Sequence, residues 1–259
     1  MARHRAKDLQ SGGICGYTVE MKQIPNLETA TFIKRYKRFF ADIETDKGPL
    51  TIHVPNTGSM KGCLNEGAPC LYTPTDDPNR KLKGTLQFLK TESSWVGVNT
   101  SLPNGLVQSF WESGQNPAWK NFKFCKMEHK IHAKTRLDMV LAPSDEDFKE
   151  GCNLHFIEIK NVTMAEDGVA LFPDAVTTRG QKHLEELMEL KNQGFGAEIF
   201  FVIQRTDCET FSPCEEIDPE YARLLRVAHE QGVQISAFPC WIDEKKGVGI
   251  ANSPLKIQL

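Results

Sequence analysis

Two carboxylates and one amine carry the clearest chemical signal in this sequence. Glu158 and Lys160 lie two residues apart in the run FIEIKNV, and Asp138 lies in the similar run RLDMVLA. Both runs are typical of strands that enter a core. Because side chains in a strand alternate between its two faces, Glu158 and Lys160 point the same way. Buried charges are costly without partners, so this placement predicts a functional site.

The two runs are expected to pair as an antiparallel hairpin. Their connection, residues 143–153, is polar and turn-forming, and it is centred on residue 148. Asp138 and Glu158 lie at equal distances from that centre, so they face each other with Cβ atoms about 5 Å apart. Two carboxylates this close repel, and one of them resists ionising unless a cation lies between them.

A divalent metal resolves this repulsion. Mg²⁺ or Mn²⁺ prefers hard oxygen ligands, so Asp138 and Glu158 are predicted to hold the metal. Lys160, on the same face, would assist the attacking water or stabilise a phosphorane-like transition state. The alternative interpretation is a solvated strand face on which Glu158 and Lys160 form an ion pair.

Residues 177–193 form the clearest predicted helix, and its first turns carry donor side chains. Arg179, Gln181, Lys182 and His183 lie near its N-terminus, where backbone N–H groups also favour anions. Arg179 and Lys182 are predicted to contact phosphates, and Gln181 is predicted to act catalytically as a donor to the scissile group. The alternative is a solvated helix start.

Residues 31–44 are predicted to be an extended segment that combines basic and aromatic side chains. Single strands are held by stacking bases on aromatic rings while Lys and Arg follow the phosphates. The alternative is that the aromatic rings fill a small barrel and the basic residues keep its outside soluble. The predicted nucleic-acid-binding residues of this segment are Lys34, Arg35, Tyr36, Lys37 and Arg38.

The sequence divides into two parts with different element patterns. Residues 1–85 contain several short strands separated by turns, which is typical of a small closed barrel. Residues 86–259 contain a short predicted helix at 106–112, followed by strands and helices in alternation. This alternation predicts an α/β layer with parallel pairing.

Composition is that of an ordinary globular protein, with 40% hydrophobic and 25% charged residues in a chain of 259. No apolar run approaches the ~20 residues that span a bilayer, and the basic N-terminus lacks an apolar signal core. We therefore expect a cytoplasmic protein with no membrane partner. Residues 1–90 carry a net charge of +5 and residues 91–259 a net charge of −8, which suggests two units with different surfaces.

The chain has eight cysteines, and none lies in a spacing typical of a zinc site. Without a secretion signal, most are expected to be reduced thiols. Cys208 and Cys214 are close enough in sequence for a disulfide, which is the alternative for that pair.

Five longer stretches resemble the bacterial and archaeal sugar fermentation stimulation protein A family. The stretches are RYKRFFADIE, HVPNTGSMKGCL, RLDMVL, EIKNVTMAEDGVALFPDAVTTRGQKHLEEL and AEIFFVIQR. The resemblance covers nearly the whole chain and implies a two-domain α+β or α/β protein. An N-terminal OB-like β-barrel would occupy residues 1–85, and a C-terminal restriction-endonuclease-like α/β domain would occupy residues 86–259.

The resemblance also implies a PD-(D/E)xK nuclease-like motif, which falls on Asp138, Glu158 and Lys160. Many such nucleases have a further acidic residue on their first helix, for which Glu112 and Glu128 are both candidates. The loop HVPNTGSM is expected to form a turn or a contact between the two domains.

The function that the resemblance implies is DNA binding with little sequence preference, together with a regulatory link to sugar metabolism. The bound DNA would include single strands, and RNA is the alternative ligand. The alternative activity is an active Mg²⁺- or Mn²⁺-dependent nuclease that hydrolyses phosphodiester bonds. The sequence leaves the oligomeric state open.

Overall fold

The computed structural model describes residues 22–132, 135–245 and 247–259. Its first part is a sheet of six strands: β1 (Glu28–Tyr36), β2 (Phe40–Thr45), β3 (Gly48–His53), β4 (Pro69–Pro74), β5 (Gly84–Lys90) and β6 (Trp95–Gly97). The strand order is β3-β2-β1-β4-β5-β6, and β3 also pairs with β5. This last pairing, parallel and located at His53 and Thr85, closes the first five strands into a barrel.

The segment 31–44 is not one continuous strand, and this corrects the sequence prediction. Lys37 and Arg38 have φ angles of 47° and 63°, so the chain reverses between β1 and β2. Left-handed residues in a turn are usually Gly, Asn or Asp, and none of these types marks this turn in the sequence. The alternation of side chains along β1 therefore ends at Tyr36, which pairs with Phe40 of β2.

The second part of the chain contains four helices and ten strands within the described residues. The helices are α1 (Leu102–Glu112), α2 (Asp145–Glu150), α3 (Thr178–Asn192) and α4 (Pro219–Glu230), with a 3-10 turn at Pro117–Trp119. The strands are β7 (Phe124–Lys130), β8 (Arg136–Ala142), β9 (His155–Val162), β10 (Met164–Glu166), β11 (Val169–Phe172), β12 (Gly196–Ile203), β13 (Thr210–Pro213), β14 (Gln234–Asp243), β15 (Gly247–Ile250) and β16 (Lys256–Ile257).

A mixed sheet with the order β15-β14-β12-β9-β8-β7 forms the centre of this part. Strands β9, β12 and β14 are parallel, and α3 and α4 are the connections between them. Leu184 of α3 and Leu225 of α4 pack on one face, in a cluster with Phe201. A smaller sheet, β10-β11-β13-β16, lies beside the main one.

The opposite face of the main sheet is covered by α1 and by the barrel. Phe110 of α1 contacts Phe200 and Phe238 of the sheet. Leu71 and Phe88 of the barrel belong to the same buried cluster, so one core joins the two domains. The predicted fold class, an OB-like barrel followed by an α/β domain, is confirmed.

The domain boundary and the first helix differ in position from the sequence predictions. The boundary placed between residues 85 and 86 falls within β5, because β5 and β6 both belong to the barrel sheet. Helix α1 begins at Leu102, four residues before the start of the predicted helix 106–112, and carries Pro103 in its first turn. Proline is favoured there because the first helical N–H groups have no intrahelical acceptor.

The connection between β8 and β9 contains helix α2, where the sequence predicted only a polar turn. Ser144 caps this helix by accepting from the N–H of Asp147 at 3.1 Å. The strand register is nevertheless the predicted one, since Met139 pairs with Ile157 and Leu141 with His155. A short helix thus replaces the turn without shifting the two carboxylates relative to each other.

The caps of α3 and α4 are linked, and this link fixes the start of α3. Thr177 Oγ1 accepts from the N–H of Gly180 at 3.0 Å, as expected for a cap of α3. Asp218 caps α4 by accepting from the N–H of Tyr221 at 2.9 Å, and its other oxygen accepts from the N–H of Thr177 at 2.8 Å. One carboxylate therefore holds both helix starts together.

The seven described cysteines are free thiols, so Cys208 and Cys214 do not form the disulfide that the sequence allowed. Cys15 lies outside the described residues. Across the described ranges, no helix has the length and apolar character needed to cross a membrane.

Candidate metal-dependent active site

Strand β9 places its charged residues on the face that α3 covers. Phe156 and Val162 lie in the cluster beneath α3, whereas Ile157 and Ile159 lie in the cluster on the opposite face. Strand alternation puts Glu158 with the first pair. Glu158 is only 3% exposed, although it is a carboxylate in the middle of a sheet.

One oxygen of Glu158 binds two cationic or polar partners. Lys160 Nζ donates to Glu158 Oε1 at 2.6 Å, and His183 Nδ1 of α3 contacts the same oxygen. Arg179 Nε donates to His183 Nε2 at 3.4 Å, which leaves Nδ1 to carry the ring proton toward Glu158. The other oxygen, Glu158 Oε2, is buried and has no hydrogen-bond partner within the described ranges.

Asp138 reaches the same region from the edge of β8. The backbone pairing of β8 with β9 extends only to Met139 and Ile157. Beyond that point Asp138 Oδ2 accepts from the N–H of Ile159 at 2.9 Å, so the carboxylate replaces a ladder carbonyl. Asn104 of α1 donates its Nδ2 to Asp138 Oδ1 at 3.0 Å. The Asp138 carboxylate therefore binds at the edge of β9, and this is the form that the predicted pairing of Asp138 opposite Glu158 takes.

The pKa values of the two carboxylates shift in opposite directions. Burial, followed by the charge of Glu158, raises the pKa of Asp138 above its usual value. Burial would also raise the pKa of Glu158, but the hydrogen bond from His183 and the charge of Lys160 outweigh it and lower that pKa. This is the behaviour expected of two close acidic groups when the cationic partners act more strongly on one of them.

Two carboxylates in this site are suitable ligands for a hard divalent cation. The free Glu158 Oε2 and the nearby carboxylate of Asp138 are oxygen ligands of the type that Mg²⁺ and Mn²⁺ prefer. No group of three His, Cys, Asp or Glu side chains in the described ranges is arranged to hold a metal. Mg²⁺ is commonly held by one or two carboxylates and completes its shell with water and substrate phosphate, so two carboxylates suffice.

Neither candidate for the further acidic residue completes the pair directly. Glu112, at the end of α1, accepts from Gln108 Nε2 at 3.1 Å on the same helix. Glu128 of β7 forms an exposed ion pair with Arg136 at 3.1 Å and lies 3.5 Å from Asn104 Nδ2. The residue of α1 that contacts Asp138 is Asn104, an amide in place of a carboxylate.

The donor residues of α3 separate into two groups. Arg179 and Lys182 line a cleft of about 620 Å³ together with His183 and Arg136, beside the Glu158 cluster, and three glutamates also line it. Gln181 points elsewhere: its Nε2 donates to Asp218 at 2.9 Å and 3.2 Å, and it makes no hydrogen bond to Glu158 or Lys160. The position of Gln181 indicates a structural role between α3 and the cap of α4.

Arg35 of the barrel donates hydrogen bonds to backbone carbonyl groups of the same chain. Its guanidinium donates to the carbonyl oxygens of Arg38, Asn56, Gly58 and Ser59 at 2.7–3.2 Å. These contacts tie β1 to the loop that reaches the second domain. With its donors occupied, Arg35 is poorly placed to bind a phosphate.

The other predicted DNA-binding residues of the barrel remain close to the surface. Lys34 lies 3.7 Å from Asp42 in an exposed ion pair and 5.8 Å from the centre of the Tyr36 ring. Tyr36 stacks on Phe40 at 5.6 Å. The hairpin turn presents the side chains of Lys37 and Arg38 to solvent.

Asn104 was not in the predicted set, and His183 was predicted only as a donor at the start of α3, without its contact to Glu158. His183 lies four residues before the buried Leu187 on α3, so helical spacing alone could have turned it toward β9. Asn104 gives no comparable signal, because its contact with Asp138 depends on how α1 packs across the sheet edge.

Comparison with known proteins bears on the identity of the chain. Residues 33–98 match the family model described as the SfsA N-terminal OB domain, and residues 101–246 match the sugar fermentation stimulation protein RE domain. The chain belongs to the sugar fermentation stimulation protein family. The family assignment covers both domains and confirms the resemblance found in the sequence.

Relatives of this family match over most of their length. A sugar fermentation stimulation protein homolog of Bdellovibrio bacteriovorus is 50% identical over 228 residues, covering 84% of this chain and 92% of the relative. A homolog of Geotalea daltonii is 44% identical over 226 residues, covering 87% and 95% respectively. The solved structure of Pyrococcus furiosus SfsA in complex with Ca²⁺ has a TM-score of 0.81 and 23% identity, and covers 93% of this chain and 100% of its own. That likeness supports the fold.

Proposed function

We propose that this chain binds DNA with little sequence preference and hydrolyses phosphodiester bonds with Mg²⁺ or Mn²⁺ at Asp138 and Glu158. The observation that carries the proposal is the buried Glu158 Oε2, which lacks a partner in the described part of the chain and lies near a second carboxylate. A buried carboxylate oxygen is costly to leave unsatisfied, and a metal ion would satisfy it.

The roles of the residues follow from their contacts. Asp138 and Glu158 would hold the cation, and when bound it would supply positive charge to the developing transition state. Lys160, fixed by Glu158 at 2.6 Å, would direct its ammonium group at the reacting phosphate. The backbone N–H of Ile159 and the amide of Asn104 hold Asp138 in place.

The surface that would bind DNA lies on both domains. Arg179 and Lys182 line the cleft beside Glu158, and Lys37 and Arg38 project from the barrel hairpin. The net charge of the whole chain is −3, so we expect modest affinity that falls steeply as salt increases.

Cleavage assays test the activity directly. The full chain would be incubated with single-stranded DNA, double-stranded DNA and RNA, with Mn²⁺ or with chelator. We expect Mn²⁺-dependent cutting by the wild type and a loss of more than about 100-fold in Glu158→Ala, because the metal loses a ligand. Glu230→Ala removes an exposed glutamate at the end of α4 and is the matched control.

A second candidate is a DNA-binding regulator, linked to sugar metabolism, whose nuclease-like site is silent. It is favoured by the hydrogen bonds that already engage Glu158 Oε1 and both oxygens of Asp138. DNA binding without cutting, unchanged in Glu158→Ala and with no Mn²⁺ binding by calorimetry, would support this candidate over the first.

A further inference from the structure

A second cavity, of about 290 Å³, lies between the barrel and the α/β domain. Its walls come from the loop after β3, from the end of β9 and from the segment that leads into α3. The uncharged polar residues that line it include Thr57, Thr100, Asn161 and Thr163. Ligand pockets often form between domains, and this volume is at the lower end of their usual range.

The walls of this cavity favour a neutral polar ligand. Among the described residues that line it, Asp174 is the one charged residue, and none is Lys, Arg or His. The Asp174 carboxylate already accepts from Ser59 Oγ at 3.1 Å and from the N–H of Met60 at 3.2 Å. A phosphate would therefore meet one negative charge and no positive charge among the described residues of the cavity.

Apolar side chains complete the walls. Met164 and Phe172 line the cavity, and Val176 at its rim is 67% exposed. A flat ligand with hydrogen-bonding edges matches walls that combine such side chains with amides and hydroxyls. Nucleobases have this character, and proteins bind unstacked bases by contacts to their faces and edges.

Asn161 supplies an oriented donor to the cavity. Gln204 Nε2 donates to Asn161 Oδ1 at 2.6 Å, which fixes the orientation of the amide. The Nδ2 group of Asn161 donates to no residue in the described ranges. Each nucleobase carries at least one acceptor on its edges, so a single donor would serve every base.

The cavity is adjacent to the candidate active site along the chain. Asn161 follows Lys160 on β9, and the two side chains point to opposite faces. Thr177 lines the cavity and caps α3, and Arg179 lines the cleft on the other side of the helix start. A nucleotide whose base enters the cavity would thus have its phosphates near the N-terminus of α3, where anions are favoured.

We propose that this cavity between the domains binds one unstacked base of a single-stranded nucleic acid whose backbone crosses the start of α3 toward Glu158. This inference rests on the proposed function for its substrate class. It adds the requirement for an unpaired base, which a backbone-binding surface alone would lack.

Binding of short single-stranded DNA to the full chain, without divalent cations, tests the proposal by fluorescence anisotropy. An abasic site is moved through each position of the strand. We expect one position at which loss of the base weakens binding about tenfold. Asn161→Leu should weaken the intact strand by a similar factor and leave the strand with that abasic site unchanged.

Two further variants show whether a loss of binding in Asn161→Leu results from misfolding. Thr57→Val removes an exposed hydroxyl that has no hydrogen bond to the described residues, and we expect it to show the same pattern with a smaller factor. Asn192→Leu, at the exposed end of α3, is the control that should bind like wild type. Abasic strands that bind as tightly as intact ones at every position would overturn the base pocket while leaving nucleic-acid binding intact. Absence of binding by any strand would overturn the proposed function as well.

Discussion

Glu158 and Glu198 are two buried glutamates on neighbouring strands of one sheet, and they have different surroundings. In the parallel pairing of β9 with β12, Glu198 lies beside Ile157 and Ile199 lies beside Glu158, so the two carboxylates face opposite sides. They are 3% and 0% exposed. Each contacts a histidine through one oxygen, and each has a second oxygen with no partner in the described ranges.

The neighbours distinguish the two glutamates. Glu198 Oε2 accepts from Trp119 Nε1 at 3.0 Å and lies 2.8 Å from His155 Nε2. Glu158 has Lys160, the second carboxylate of Asp138, and a cleft beside His183. An unpartnered buried oxygen is therefore weak evidence for a metal site by itself. A second carboxylate and an opening to solvent distinguish Glu158, and the following predictions test that distinction.

The largest expected effect is on folding stability in Glu198→Ala. Removing this carboxylate leaves the Trp119 indole N–H and the His155 ring buried without their acceptor. We expect the free energy of unfolding to fall by about 3 kcal/mol, measured by urea denaturation. Glu230→Ala, the exposed control, should change it by less than about 0.5 kcal/mol.

Glu158→Ala should cost less stability than Glu198→Ala. His183 lines the cleft and Lys160 is partly exposed, so both can be hydrated, and Asp138 is relieved of a repelling charge. An equal or larger loss of stability in Glu158→Ala would show that Glu158 is as structural as Glu198. It would contradict the distinction drawn between the two glutamates.

The next effect concerns metal binding. A ligand that binds only the folded state at about 100 times its Kd raises the free energy of unfolding by about 2.7 kcal/mol. We expect Mn²⁺ to stabilise the wild type in this way and to leave Glu158→Gln unchanged. Glu198→Gln should start from lower stability and keep the full Mn²⁺ increment. If Mn²⁺ stabilises Glu158→Gln as strongly as wild type, the cation binds elsewhere.

A smaller effect should come from Asn104, which holds the Asp138 carboxylate from α1. Asn104→Ala removes that donor, so Asp138 can turn away and the Mn²⁺ affinity should fall about tenfold by calorimetry. Asn104→Asp should instead add a third carboxylate, lowering stability without metal and restoring affinity with it. Asn192→Ala is the exposed control. An unchanged Mn²⁺ affinity in Asn104→Ala would show that holding Asp138 in place does not contribute to metal binding.

Much of the fold follows from sequence where local signals agree. Helix α3 was predicted at residues 177–193, and the alternation of strands and helices predicted the parallel pairing seen in β9, β12 and β14. The barrel hairpin was not predicted, because Lys37 and Arg38 adopt left-handed angles that their residue types do not indicate. Helix α2 was also missed, since a polar segment after Ser144 is equally typical of a turn.

The site shows the same division between local and tertiary information. Strand alternation and the symmetric connection bring Glu158, Lys160 and Asp138 together without knowledge of the rest of the fold. Asn104 and Gln181 depend on how helices pack. The amide of Gln181 turns to Asp218 because that carboxylate caps the neighbouring helix, and no spacing in the sequence encodes this contact.

The smallest expected effects apply the same distinction to two cations of the barrel. Arg35 donates to backbone carbonyls, whereas Lys37 is exposed in the hairpin turn. Arg35→Ala should lower the free energy of unfolding by about 1 kcal/mol, because the loop after β3 loses a donor. Lys37→Ala should leave stability unchanged and reduce the slope of log affinity against log salt by about 1, if it contacts one phosphate. DNA titrations over a salt series measure the slope. If Arg35→Ala changes the slope and Lys37→Ala does not, occupied donors would not predict a structural role, and the reasoning applied to Glu198 would weaken with it.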